Sequence, residues 1–276
     1  MARRDSSSNP ALTRIPAFSG VGVAGDAAAR PARAGGRVDA LSDPLERSYR
    51  LPDAGAAQTG RMTVDDVVVK TAMMLGLAVL TGTVTWSLNL QALTLPAALV
   101  GLVLGLVITF KQVTNSAAML AFAAVEGVFL GGISKLIGGG NEAIVLQAVL
   151  GTVAVAGVML ALFRSGRLRV TPKFQRAVIG ATLGFLVLMV VNLLASLFTD
   201  GGLGLRDGGP LAVVVSLVAI ALAAFNLVLD FDLIDKAVRQ GVAEWYSWLA
   251  AFGLVVTLVW LYVEILRLLS YFSDRD

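Results

Sequence analysis

The sequence predicts an all-α integral membrane protein with seven transmembrane helices behind a polar N-terminal tail. Three observations carry this. The chain is 57% hydrophobic with a mean hydropathy of +0.79, where a soluble domain is typically about 45–50% apolar. The apolar residues gather after Val67 in successive long runs, and about 20 apolar residues cross a hydrocarbon core of roughly 30 Å. Basic residues crowd into alternating connections between the runs, as topology demands of a multi-pass protein.

Residues 1–64 hold five of the eight prolines and nine of the 22 basic residues. Low hydrophobicity with abundant Pro, Gly and Ser predicts a disordered, solvated tail. The short apolar spot Ile15–Phe18 reads as part of that tail, with contact to the membrane surface or a partner as the alternative. MARRDSSSNP begins basic, but no apolar core follows within the first 30 residues, so a secretory signal is not expected and the first helix acts as its own insertion signal.

The transmembrane domain is expected over residues 65–276. Thr63 opens TVDDVVVK, with Asp65 and Asp66 placed for a first helical turn, where acids suit the positive end of the helix dipole. The apolar segments run over about 66–88, 93–110, 115–137, 142–163, 174–198, 210–235 and 246–272. Pro96 and Pro210 fall in opening turns, where a missing N–H costs little, and Pro172 is placed in a loop. Gly101 and Gly105 form GxxxG in the second segment, with Gly127, Gly131 and Gly132 in the third and Gly151 and Gly157 in the fourth. Small residues let helices approach closely in lipid, and packing within the bundle is the expected use.

The 2–3 connection carries Lys111. The 4–5 connection carries Arg164, Arg167, Arg169, Lys173 and Arg176, and the 6–7 connection Lys236 and Arg239. The other side has Lys135, Arg206 and Arg275. The expected orientation is therefore N-terminus in the cytoplasm and C-terminus outside. The net charge of +3 comes mainly from tails and loops, so no nucleic-acid partner is expected; the lipid bilayer is the partner that composition demands.

Cysteine and histidine are absent. That removes disulfides, thiolate chemistry, Ser-His catalysis and histidine-ligated metals or haem. A retinal receptor is excluded because the seventh segment has no lysine. No nucleophile–base pair is visible, so the chain is read as a non-enzyme without a resident cofactor.

Ionisable residues inside a membrane are costly and mark functional sites by default. Three acids lie within apolar segments: Glu126, Asp230 and Glu264. Asp232 and Asp235 have basic residues at i+4, Lys236 and Arg239, in the favourable acid-first order. Asp230 lacks such a partner and has only Asn226 as a polar neighbour one turn back. Glu264 has Arg267 at i+3, so an intrahelical ion pair is one reading and a functional carboxylate the other. Glu126 either lines a cation path or packs as a protonated, hydrogen-bonded side chain.

LAFAAVEGVFLGGIS, VLQAVLGTVAVAGVMLALF with its following basic loop, LVLDFDLI and LYVEILRLLSYF together resemble the Bax inhibitor-1-like family, also called the transmembrane Bax-inhibitor-motif proteins. SNPALTRIPAF in the tail is similar to a bacterial branch. The likeness covers roughly residues 66–272, and its last two motifs are the most specific. It implies six helices wrapped around a central C-terminal helix, in a bacterial inner (plasma) membrane. It also implies a pH-sensitive calcium leak. Asp230 and Glu264 would share a proton to close the pore, and on losing it would offer oxygen ligands to Ca²⁺, which favours hard oxygen donors. From their own positions in the apolar segments, Glu126, Asn226 and Arg267 are read as pore or helper residues, and the resemblance makes Lys111 the nearest match to the family's basic latch. The alternative is an interaction protein that modulates a membrane protease or a stress response through a membrane-protein partner.

Two departures stand out. The seventh-helix acid is Glu where Asp is usual, and the two acids are 34 residues apart, more than the family spacing. A turn near Ser247 would bring both to one depth. A turn at Gly241 would leave them roughly 18 Å apart along the membrane normal, at 1.5 Å per residue. The expectation is the first arrangement, with the sixth helix extended into the cytoplasm through DLIDKAVRQGVAE.

Overall fold

A computed structural model of the chain describes residues 60–199 and 201–273. The tail expected over 1–64, apart from its last five residues, lies outside them, and so does Arg275. Seven helices are long and apolar enough to cross a membrane. They are α1 (Val64–Ser87), α2 (Thr94–Lys111), α3 (Ser116–Ile137), α4 (Glu142–Arg164), α5 (Pro172–Ser196), α6 (Pro210–Arg239) and α7 (Tyr246–Ser273). The protein is thus an all-α multi-pass membrane protein, and the described residues contain no strand.

Local chemistry sets most helix ends. Thr63 caps α1 in a reciprocal box: the Asp66 N–H donates to Thr63 Oγ1 at 3.1 Å and the Thr63 N–H donates to Asp66 Oδ2 at 2.9 Å. Two helix-end donors are satisfied at once, with Asp in the place Glu or Gln usually takes. Asn115, Asn141 and Thr171 accept backbone N–H bonds at the starts of α3, α4 and α5. Pro172, expected in a loop, is instead the first residue of α5, where its fixed φ suits a helix start.

α6 is the longest helix at 30 residues. Its last turns carry the two expected ion pairs, Lys236–Asp232 at 2.5 Å and Arg239–Asp235 at 2.9 Å. The chain then turns through Gly241, whose φ of 67° places it in the left-handed region that favours glycine. Residues 60–62, which sequence assigned to the tail, pair with this turn. The Met62 N–H donates to the Val242 carbonyl at 2.8 Å and the Glu244 N–H to the Gly60 carbonyl at 2.8 Å. Met62 itself is buried.

α7 is the most enclosed helix. Of its most apolar eighteen residues 61% are buried, against 39% in α6 and 6% in α5. It packs against α1, α3, α4 and α6, with Phe252 edge-on to Phe122 of α3 at 4.8 Å between ring centres.

The tightest helix pair is α1 with α3, and glycine makes it so. A Cβ on Gly131 would stand 2.2 Å from the Gly82 carbonyl oxygen, and one on Gly127 would stand 2.3 Å from that of Ala78. Backbones meet directly here, which maximises dispersion where lipid removes any hydrophobic drive. The GxxxG of α2 also packs inward: Gly101 faces Glu126 and Gly105 faces Phe122. Gly131→Leu is therefore expected to cost roughly 3 kcal/mol or to prevent folding. Gly157→Ala, with nothing within 4 Å of the new carbon, should keep or slightly raise the detergent melting temperature, since Ala is the better helix former.

Candidate functional site

The α6–α7 turn decides which groups can meet. It occupies residues 240–245, so it does not fall at Ser247, which is buried in the first turn of α7. Asp230 is nine residues from the end of α6, and Glu264 is eighteen from the start of α7. At 1.5 Å per residue the two acids differ in depth by about 13 Å. The structure gives each its own partner, in place of the proton-sharing contact expected from sequence.

Asp230 meets Thr257 of α7. Thr257 Oγ1 donates to Asp230 Oδ2 at 2.7 Å, and the Gly253 carbonyl lies 3.1 Å from the same hydroxyl. The depth arithmetic agrees, since Thr257 is eleven residues into α7. Asn226, read as the neighbour of Asp230, turns away. Its Nδ2 donates to Thr182 Oγ1 of α5 at 2.8 Å and to the Leu222 carbonyl at 2.8 Å.

Glu264 is 3% exposed and is held by two arginines. Arg206, from the connection between α5 and α6, reaches it with both terminal nitrogens: Nη2 to Oε1 at 2.9 Å and Nη1 to Oε2 at 3.4 Å. Arg267, one turn on along α7, stands at 3.5 Å. The expected intrahelical pair exists, but the shorter, two-point contact comes from Arg206. An unpaired buried carboxylate would cost several kcal/mol, and the planar guanidinium fork meets both oxygens at once.

Arg206 makes two further contacts. Its carbonyl accepts from Tyr271 Oη at 3.4 Å and its Nη2 lies 3.1 Å from Met189 Sδ. The surrounding loop contains Gly201, Gly202, Gly204 and Gly208, all at positive φ. It is tethered to α5 where the Leu203 N–H donates to Asn192 Oδ1 at 3.0 Å.

These contacts trace a seam. Thr257, Glu264 and Tyr271 are spaced by seven residues, two helical turns, and so lie on one face of α7. Thr257 meets Asp230, Glu264 meets Arg206, and Tyr271 meets the Arg206 backbone.

Glu126 lies elsewhere, between α2 and α3. Its Oε2 is 2.9 Å from where a Cβ on Gly101 would stand, so that glycine opens the niche for the carboxylate. Among the described residues Glu126 has no hydrogen-bond or ion-pair partner. Lys111 is exposed at the end of α2 and touches none of the acids. No cluster of three or more acidic side chains suited to a metal exists among the described residues. Asp230 and Glu264 thus hold separate polar partners and do not form a chelating pair.

Sequence reasoning missed Arg206 and Thr257. Arg206 carried only topological weight, as one charge on the sparsely charged side. Thr257 had a usable signal, a hydroxyl two turns from Glu264 on the same helix face. Replacing it with Val removes the donor and strands Asp230, which is expected to cost about 1–3 kcal/mol. Thr257→Ser should retain most of that stability, as read by unfolding in detergent.

The family model described as Bax inhibitor 1 like matches residues 16–274, nearly the whole chain. No curated protein matches. With a match of that extent over the seven helices and both α6–α7 motifs, the chain belongs to the Bax inhibitor 1 like family.

Proposed function

We propose that the protein is a cation leak channel, with calcium as the fitting ion, whose path follows the polar seam between α6 and α7. The observation that carries the reading is the buried Glu264 carboxylate, stacked two turns from the Thr257–Asp230 contact on the most enclosed helix. Membership of the family supports it. Asp230 and Glu264 act as successive oxygen contacts for a partly hydrated ion. Both must be ionised to attract a cation, so the leak falls as acid protonates them; the channel is pH-sensitive for that reason. The protein acts as a non-enzyme in a bacterial inner membrane, N-terminus in the cytoplasm. The concentration of basic residues at the end bearing the 2–3, 4–5 and 6–7 connections supports this orientation.

A second reading is favoured by the pairing of residues 60–62 with the α6–α7 turn. The chain enters the bundle at the hairpin that carries both acids. A partner protein bound to the preceding residues would act on that hairpin, and the protein would modulate a membrane protease or stress response.

Liposomes loaded with a calcium dye test the first reading. Asp230→Asn and Glu264→Gln should each lower calcium permeability relative to potassium by at least about fivefold, the worth of roughly 1 kcal/mol of lost attraction. Equal selectivity and equal pH response in wild type and both variants would sink it. Deleting residues 1–59 should leave the leak intact. Loss of a cellular phenotype in that variant, with flux preserved, would move the function to the second reading.

A further inference from the structure

We infer that Arg206 is a tethered blocking cation: the α5–α6 loop seats its guanidinium on the Glu264 cation contact, and an ion reaches that contact only when the loop withdraws. This rests on the cation-leak reading and names how its outer site is regulated.

Four observations converge on it. Glu264 is almost wholly enclosed, with its side chain 4% exposed, while the Arg206 side chain is 26% exposed and the Arg267 side chain 19%. Arg206 therefore reaches a buried acid from the open end of the bundle. Its two-point contact occupies both carboxylate oxygens, the atoms a cation would need. Glu264 also has two arginines for one negative charge. Arg267 is fixed on α7, and Arg206 is carried on a loop. When Arg206 leaves, Arg267 remains at 3.5 Å, so the carboxylate is not abandoned in a low-dielectric site.

The loop lies between α5 and α6, so displacing it unwinds neither helix. Gly201, Gly202, Gly204 and Gly208 hold left-handed backbone conformations, so the segment is a run of turns and not a helix. Among its ties to the helices are single bonds: Leu203 N–H to Asn192 Oδ1, the Arg206 carbonyl to Tyr271 Oη, and the Arg206 nitrogen to Met189 Sδ. Leu205 plugs inward beside the arginine at 9% exposure. The guanidinium thus supplies a large share of the loop's anchorage. Calcium, with its higher charge, competes for the same oxygens.

The chain has no cysteine, so a single introduced thiol reports on the loop alone. Leu205→Cys in proteoliposomes is treated with a membrane-impermeant maleimide, with and without millimolar calcium on the loop side. Leu203→Cys carrying a spin label is the second reporter, because Leu203 is 49% exposed and tolerates substitution. Calcium should speed labelling in the otherwise unaltered chain. Arg206→Gln should speed it about tenfold without calcium, the effect of losing one charge-assisted contact. Arg206→Lys should fall between. Labelling and spin mobility unchanged by Arg206→Gln would overturn the proposal. So would acceleration by Arg206→Gln with no response to calcium in the unaltered loop, which makes the arginine a structural tie only. Calcium flux through Arg206→Gln proteoliposomes is recorded in parallel and should rise several-fold. Faster, calcium-sensitive labelling with no flux in any variant would leave the displaced arginine standing and remove the channel reading instead.

Discussion

A carboxylate inside hydrocarbon must be neutralised, bonded or hydrated, and most of this bundle follows from meeting that demand at Glu264. The acid sits on the helix with the largest buried fraction, so water cannot solvate it. Arg267 on the same helix stands at 3.5 Å and reaches one of the two oxygens. The connection between α5 and α6 therefore dips inward to deliver a second arginine. Its tie to Asn192 and the hydroxyl of Tyr271 hold the arginine there in the resting bundle. The same demand recurs two turns away, where Thr257 supplies a donor to Asp230.

The rest of the bundle is arranged so that charge inside it remains tolerable. α1 and α3 approach until their backbones touch at Gly82, Gly127 and Gly131. That contact replaces the hydrophobic drive missing between helices in lipid. Gly101 extends the logic to polar groups. It leaves a niche on α2 that the Glu126 carboxylate fills. Small residues here serve two ends, close packing and room for oxygen.

Helix existence and extent were legible because hydropathy, caps and charged ends agree locally. Thr63, Asn141 and Pro210 mark starts that sequence placed within two residues. Pro172 is the exception, since a proline after a threonine is a helix opening as readily as a loop. The site was harder. Whether Asp230 and Glu264 meet depends on which of several polar residues between Arg239 and Ser247 makes the turn. Periodicity does not choose among them; Gly241 in a left-handed conformation does. Arg206 was invisible for a different reason. A loop arginine's partner is fixed by how far the loop folds back, which is a property of the whole bundle. The Asp232 and Asp235 pairs were readable because both members lie on one helix.

The pairing of Gly60–Met62 with Val242–Glu244 also bears on how the chain is made. The first residues to approach the membrane acquire these backbone partners only after about 180 further residues have been synthesised, and Lys70 waits as long for Ser247, 2.5 Å away in the finished bundle. Contacts of such sequence separation form late and slowly. α1 can find α3 early, through their glycines, but its entry point remains unpaired until α7 arrives. The backbone pairing at the start of α1 is therefore completed only when the final hairpin is in place. A chain truncated before Val242 would keep most of its spans and lack the clasp that joins its beginning to its end.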